Sequence, residues 1–133
     1  MTQNEKELLL KDLSCRLPYG VKYMDILNPD EHPSTLQSID NCGLVMANDG
    51  FSHEIENVKP YLFPISSMTE EQIVEFDKIA ELDIKYSIAQ IKNDVLIWTS
   101  GLNRFNWLLK NHFDVYGLIE QDLAIDATNL NIY

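Results

Sequence analysis

The sequence predicts an α+β fold in which a small antiparallel sheet of short strands packs against three or four helices. Three observations support this class. Apolar residues recur at helical spacing near both ends and in the middle of the chain. Residues 21–58 instead show short apolar runs with β-like alternation. Turn-forming residues divide that stretch into pieces short enough to pair as antiparallel neighbours.

The first predicted helix spans residues 4–16. Asn4 stands at the expected N-cap, and Glu7 has the spacing of a capping-box partner. Pro18 ends the helix because a proline disfavours helical backbone at the residue before it. Leucines form the apolar stripe: Leu9, Leu10, Leu13 and Leu17. Basic residues lie off this stripe: Lys6, Lys11 and Arg16.

Four short strands are predicted between residues 21 and 58. Their apolar positions are Val21, Tyr23, Ile26 and Leu27, then Leu36 and Ile39, then Leu44 to Met46, then Phe51, His53 and Ile55. The sequence Asn48-Asp49-Gly50 is the strongest hairpin signal, because Asp-Gly tolerates the positive φ of a tight turn. In the connector, residues 59–68, Pro60 and Pro64 cannot donate hydrogen bonds, so any strand there is expected at an edge.

Two further helices are predicted in the second half of the chain. Thr69 and Gln72 form a capping box at the start of the first. Its apolar stripe is Ile73, Phe76, Ile79 or Ala80, and Leu82. Residues 84–99 are compatible with either a helix or a strand. The last helix, residues 101–112, carries Leu102, Phe105, Leu108 and Leu109, with Trp107 beside them. One core is expected to contain Leu9, Leu13, Ile73, Phe76, Phe105 and Leu108.

We expect residues 1–133 to form a single domain with a partly ordered C-terminal tail, because residues 123–133 contain few apolar side chains. The first ten residues lack the basic start of a signal peptide, and no apolar run is long enough for a transmembrane helix. Cys15 and Cys42 belong to no CxxC pair and are expected to be buried thiols, which favours a cytoplasmic protein. A disulfide between them stays open.

Charge is the least ordinary feature of the sequence. The net charge is −11, which disfavours nonspecific binding to nucleic acid or to anionic membranes. Between Tyr23 and Val58 there are seven acidic residues and no lysine or arginine. Two interpretations of this acidity are open. It belongs to a solvated face of the sheet, or it forms a surface that meets a basic partner, for example by imitating the charge of nucleic acid.

The sequence offers few candidates for chemistry. No helix presents two histidines to a metal, no glycine-rich loop could hold a phosphate, and no serine has a nucleophile-elbow context. His53 with Glu54 would point to opposite faces of a strand. We therefore expect no catalytic residues, no metal, no cofactor and no small-molecule ligand.

The segment after the last helix holds the candidate site residues: His112, Asp114 and Tyr116. A histidine is favoured at a helix C-terminus, and the neighbouring carboxylate could orient its ring. The alternatives are a C-cap histidine followed by a local turn at Asp114, a partner-contact surface, or a catalytic site. Gly117 favours a turn, and Tyr116 is expected to be exposed there for a partner.

Three segments carry a family resemblance: Glu7–Leu13 with Arg16–Lys22, Val58–Leu62 with Pro64 and Ser66–Glu71, and Leu108–Asp114 with Gly117–Glu120. Together they resemble a family of short uncharacterised proteins from phage-derived and mobile regions of gut-anaerobe genomes. The resemblance covers about half the chain and implies no activity. In that family an aromatic residue and an arginine often precede the glycine, whereas Val115 and Tyr116 stand here.

Two functional hypotheses follow. The first is a non-enzymatic protein-interaction module of a mobile element or prophage, which binds a protein partner or itself. The second is a small enzyme with a site around His112, Asp114 and Tyr116. A pocket in which those groups converge would favour the enzyme, and an exposed apolar patch would favour the module.

Overall fold

The computed structural model describes residues 1–79, 81 and 102–133. The described helices are α1 (Gln3–Arg16), α2 (70–79) and α3 (Leu102–Lys110). The strands are β1 (Lys22–Asp25), β2 (Ser34–Ile39), β3 (Leu44–Ala47), β4 (Ser52–Glu54), β5 (Val58–Leu62) and β6 (Ile125–Asp126). Single 3₁₀ turns occupy Leu17–Tyr19, Ile55–Asn57 and Ile65–Ser67. The predictions for Ala80, Leu82 and residues 84–99 lie outside the described residues.

The strands form one six-stranded sheet in the order β4-β3-β2-β1-β5-β6. All neighbouring pairs among the first five strands are antiparallel, but β6 runs parallel to β5. The α+β class is therefore confirmed, and the prediction of a purely antiparallel sheet is wrong at β6. A parallel neighbour requires a long crossover, and the chain between β5 and β6 is long enough to provide it.

The connector contributes an internal strand, which corrects the prediction that any strand there lies at an edge. Strand β5 sits between β1 and β6, and Pro60 is paired with Tyr23. Because the amide of Ile26 bonds to the carbonyl of Asn57 at 2.8 Å, the alternation of the ladder makes the Tyr23–Pro60 pair a non-hydrogen-bonded one. Pairing with β6 starts only at the next residue, Tyr61, so the missing N–H of Pro60 breaks no ladder bond.

Strand β2 changes partner along its length. Ser34 and Thr35 pair with β1, whereas the residues from Leu36 onward pair with β3 across a register shift. In a flat sheet β1 and β4 would be about 14 Å apart, since neighbouring strands are separated by roughly 4.8 Å. The hydroxyl of Tyr23 on β1 nevertheless lies 2.9 Å from Nδ1 of His53 on β4. Side chains of β1 and β4 therefore lean toward each other and meet over the two strands between them.

Helix α1 supplies one side of the core. Leu9 and Leu13 are fully buried, as predicted, together with the inward-facing strand residues Val21, Tyr23 and Val45. The helix begins one residue earlier than expected. Its N-cap is Thr2, whose hydroxyl accepts from the amide of Glu5, while the Glu5 carboxylate accepts from the Thr2 amide. The predicted cap at Asn4 is therefore wrong.

The rest of the predicted core is partly wrong. Ile73 is 45% exposed, and Phe76, Phe105 and Leu108 are only half-buried. On α3 the buried residues are instead Trp107 and Leu109. Trp107 stacks on Phe113 with ring centroids 5.7 Å apart and contacts Phe76 at 5.6 Å. The helical stripe is thus rotated toward the indole, the largest apolar surface on the helix.

The predicted capping box at α2 and the predicted hairpin turn are both present. The Thr69 amide donates to Gln72 Oε1 at 2.9 Å, and the Gln72 amide donates to the Thr69 hydroxyl. In the hairpin between β3 and β4, Gly50 has φ of 90°, which is the left-handed region that favours glycine.

The tail packs more extensively than its composition suggests. Leu123, Ala124 and Ala127 are buried, and the amide of Ala127 bonds to the carbonyl of Leu62 at 2.8 Å. The hydroxyl of Tyr133 accepts from the amide of Lys22 and donates to the carbonyl of Tyr61. Backbone pairing, rather than side-chain hydrophobicity, holds much of this segment.

Candidate functional site

His112 ends helix α3 in a left-handed conformation, with φ of 64°. The Phe113 amide bonds to the carbonyl of Leu108, and the His112 amide bonds to that of Leu109, which is the bond pattern of a Schellman motif. The imidazole stacks on Tyr133, with centroids 3.7 Å apart, and its Nδ1 is buried without a hydrogen-bond partner. Burial, assisted by the nearby charges of Arg16 and Lys22, lowers the pKa of His112 to about 4.

Asp114 organises the turn that follows. Its Oδ1 accepts from the amide of Leu118 at 2.9 Å, and its Oδ2 accepts from that of Ile119 at 3.0 Å. The carboxylate is nearly buried, and both of its oxygens bond to backbone amides. It therefore acts as the local turn acceptor that the sequence offered as one alternative.

Tyr116 is half-buried and packs against the core. Its ring meets Phe105 edge-on at 6.4 Å, and the ammonium of Lys11 lies 5.1 Å above it. Burial raises the pKa of the phenol, and Cys15 and Asp12 are among the neighbours that add to this. The expected exposed aromatic is therefore covered on more than one side.

The three predicted site residues are close in sequence, and none of them lines either of the two cavities described below. His112 caps a helix, Asp114 holds a turn and Tyr116 packs on α1 and α3. Each side chain thus has a structural role at its own position.

A cavity lies at one end of the sheet, between the β1–β2 loop and the β3–β4 hairpin. We call it the acidic groove; its volume is about 470 Å³. It is lined by Asp25, Asn28, Asp30, Glu31, His32, Ser34, Asp49, Phe51 and His53. Four of these residues are acidic, and no lysine or arginine is among these described lining residues.

Beside the acidic groove, a series of side-chain contacts connects strands β1 and β4. Tyr23 Oη and His53 Nδ1 are 2.9 Å apart, and His53 Nε2 faces Asp25 Oδ2 at 3.6 Å. Asp25 also accepts from the amide of Leu27 and from the side-chain amide of Asn28. Burial of Tyr23, with the charges of Asp49 and Asp25 adding to it, raises the pKa of the phenol to about 12. Tyr23 consequently stays neutral and can donate to His53.

A second cavity of about 360 Å³ lies at the other end of strand β4, and we call it the hairpin groove. Its lining residues are Asp40, Cys42, Gly43, Leu44, Glu54, Ile55 and Glu56. It is also acidic, although Lys6 approaches one of its carboxylates, with Nζ 2.8 Å from Oε1 of Glu56. Both described grooves therefore offer carboxylates to a positive group.

Exposed apolar side chains accompany the acidic groove. Phe51 at its rim is 68% exposed, and Leu27, in the loop that also carries Asp25 and Asn28, is 69% exposed. Ile26 and Met46 are exposed nearby in sequence, on the same loop and on β3. These side chains would add apolar contact area if a partner covered the acidic groove.

The remaining chemistry is limited. Within the described ranges, no group of three His, Cys, Asp or Glu side chains is placed to hold a metal ion. Cys15 is half-buried and Cys42 is exposed, and both are free thiols, so the expectation that both are buried is wrong. None of the described helices has the length and apolarity to cross a bilayer.

Comparison with known protein families, with curated proteins and with solved structures finds no match for this chain. The site must therefore be interpreted from its own residues.

The acidity of residues 23–58 is evident from the sequence, but the sequence does not show that part of it lines a groove. The sequence predicts only that His53 and Glu54 point to opposite faces of a strand, whereas the His53 ring also bridges toward Tyr23 and Asp25. The available signal was the hairpin. Phe51 and His53 alternate after Gly50, so both project from one face, and that face meets the loop rich in acids.

Proposed function

We propose that this protein is a non-enzymatic interaction module that binds a basic protein partner through the acidic groove. The observation that carries the proposal is the exposed ring of Phe51 at the rim of a groove lined by four carboxylate residues. Aromatic side chains beside a charged cavity provide apolar contact area, while the carboxylates select the charge of the partner.

The geometry supports binding better than catalysis at either candidate location. His112 is held in a helix cap, and its lowered pKa leaves it neutral, with Nδ1 buried. In the acidic groove, Tyr23 occupies one ring nitrogen of His53, and the other faces Asp25. A general base needs a free nitrogen directed at substrate, and this arrangement holds the imidazole between protein groups.

The charge of this surface also selects among partners. Carboxylates repel nucleic acid and repel a second copy of the same acidic face. A basic protein segment is attracted instead. We assign the module to a mobile element or prophage on the resemblance of its three segments, and to the cytoplasm because both cysteines are free thiols.

The test is affinity capture from the host with the tagged full-length chain and two single variants. Phe51→Ala removes the rim aromatic, and Ile65→Ala removes an apolar side chain that is 50% exposed outside the groove. We expect a protein captured by the wild type and by Ile65→Ala to be lost or reduced about tenfold with Phe51→Ala.

Salt provides a second readout of the same experiment. Capture should weaken as NaCl rises from low to physiological concentrations and above, because screening shortens the range of the attraction. The proposal fails if the captured protein is equally abundant with both variants, or if capture does not respond to salt.

A further inference from the structure

We infer that the partner binds as an extended basic segment that adds to the outer edge of strand β4, the edge opposite β3, with successive lysine or arginine side chains entering the two grooves. This inference deepens the proposed function and rests on it. It names the mode of binding and the class of segment that the surface accepts.

The first support is the position of β4. It is the terminal strand of the sheet order, and the described residues place a neighbour, β3, on one side only. An edge strand presents backbone groups with which another chain can pair, and extended peptides bind many domains in this way.

The second support is the relation of the two grooves to β4. His53 lines the acidic groove, and Glu54 lines the hairpin groove. These are consecutive residues of one strand, so their side chains project to opposite faces of the sheet. The two carboxylate-lined cavities therefore lie beside consecutive side chains of the edge strand, one toward each end of it.

An added strand would obey the same alternation. If it pairs with β4, its consecutive side chains also project to opposite faces. Two adjacent basic residues would then meet one groove each, one near Asp25 and Asp49 and the other near Asp40 and Glu54. A segment with basic residues at every second position would use only one groove.

The occupant is set by charge complementarity. The described linings of the two grooves contain seven acidic residues in all: Asp25, Asp30, Glu31, Asp49, Asp40, Glu54 and Glu56. Of these, Glu56 is already paired with the ammonium of Lys6 at 2.8 Å, which leaves Asp40 and Glu54 for a partner in the hairpin groove. A second copy of this chain cannot supply adjacent basic residues at its own β4, where Ser52, His53 and Glu54 stand.

The experiment uses the full-length protein, labelled for amide NMR, and a capped peptide of sequence Thr-Val-Lys-Arg-Val-Thr. We expect the amides of Ser52, His53 and Glu54 to shift on titration. N-methylation of the peptide amides that face β4 should weaken binding about tenfold, whereas methylation of the opposite edge should change it less than twofold.

Charge variants test the two grooves separately. Asp49→Asn and Glu54→Gln should each weaken binding roughly three- to tenfold. Glu120→Gln is the matched control, since it makes the same charge change at an exposed residue outside both grooves. A peptide with Gln in place of Lys and Arg should not bind.

Three results would overturn the inference: no binding of the peptide at millimolar concentration, equal effects of methylation on both edges, or equal affinity of Glu54→Gln and Glu120→Gln. None of these alone removes the interaction module, whose test is the Phe51 dependence of capture. If capture does not depend on Phe51 but the peptide still binds, the proposed role of the Phe51 rim is contradicted, while strand addition at β4 is retained.

Discussion

Arg16 and Asp12 are fully buried charged residues in the described part of the chain. The Arg16 side chain is fully enclosed, with Nε 2.6 Å and Nη2 3.0 Å from the two carboxylate oxygens of Asp12. Nη2 also donates to the carbonyl of Phe113 at 2.7 Å, which ties α1 to the segment after α3. The sequence placed Arg16 off the apolar stripe, although the spacing of Asp12 and Arg16 is that of a helical ion pair.

Removal of one partner of this pair should be costly. We predict that Arg16→Met lowers the free energy of unfolding by about 3–5 kcal/mol, because a buried carboxylate and a carbonyl lose their donor. The double variant Asp12→Leu/Arg16→Met should recover most of that loss. Urea denaturation of the wild type and both variants measures these differences, and a loss below 1 kcal/mol in the single variant would contradict the assignment.

His112 makes the stability depend on pH. The pKa of His112 is about 4 in the folded protein, whereas an unperturbed histidine has a pKa of 6.5. The unfolded chain therefore binds the proton more readily. Stability is therefore complete above about pH 6.5, declines as the pH falls toward 4, and loses no more from this group below that. The shift alone corresponds to about 3 kcal/mol, and because the ring is only partly buried, solvent screening makes the loss smaller than that.

The control for this prediction is His112→Asn, since asparagine tolerates the left-handed backbone and does not titrate. The difference in unfolding free energy between wild type and variant should shift in favour of the variant as the pH falls from 6.5 to 4. Carboxylates titrate in both proteins and cancel in the difference. A difference that stays constant across that range would show that His112 does not carry the effect.

At the level of the elements, helix α3 depends on its indole. We predict that Trp107→Ala destabilises the protein by about 3–5 kcal/mol, because the ring is buried between Phe76 and Phe113. Ile73→Ala, at a side chain that is 45% exposed, should cost less than about 1 kcal/mol. Thermal or chemical denaturation separates the two, and similar losses would show that the α2 stripe faces the core after all.

These elements also show what sequence patterns can predict. The capping box at Thr69, the hairpin at Gly50 and the β2–β4 meander depend on neighbours in the chain, so local rules found them. The internal position of β5 depends on the pairing of Pro60 with a distant strand, and the order of the tail depends on bonds to β5. Local rules contain no information about such partners.

The same distinction applies to the candidate site. The residues predicted from the sequence, His112, Asp114 and Tyr116, lie close together in the chain. In the structure each of them has a local role, in a helix cap, in a turn and in side-chain packing. The acidic groove instead joins a loop near residue 30 to a hairpin near residue 50 through the partner change in β2. Composition predicted its charge but not its shape.

For the whole molecule, the net charge of −11 should make stability depend on salt. Exposed pairs such as Lys59 with Asp122 contribute little, whereas repulsion among the acidic residues acts over the whole surface. We predict that Tm rises by a few degrees between about 10 mM and 300 mM NaCl, as screening reduces the repulsion. A melting temperature that falls over this range would mean that attractive pairs dominate.

The parallel strand β6 constrains how the protein is made. Tyr61 and Leu62 pair with Ile125 and Asp126, so one edge of β5 receives its neighbour from near the end of the chain. During synthesis, α1 and the strands through β5 emerge from the ribosome first. One edge of β5, whose residues are largely buried in the complete fold, stays unpaired until residue 126 has left the exit tunnel. Such waiting edges are the points at which nascent chains associate wrongly. A ribosome stalled before residue 120 would therefore hold a chain without β6, whereas release of residues 1–133 allows the sheet to be completed.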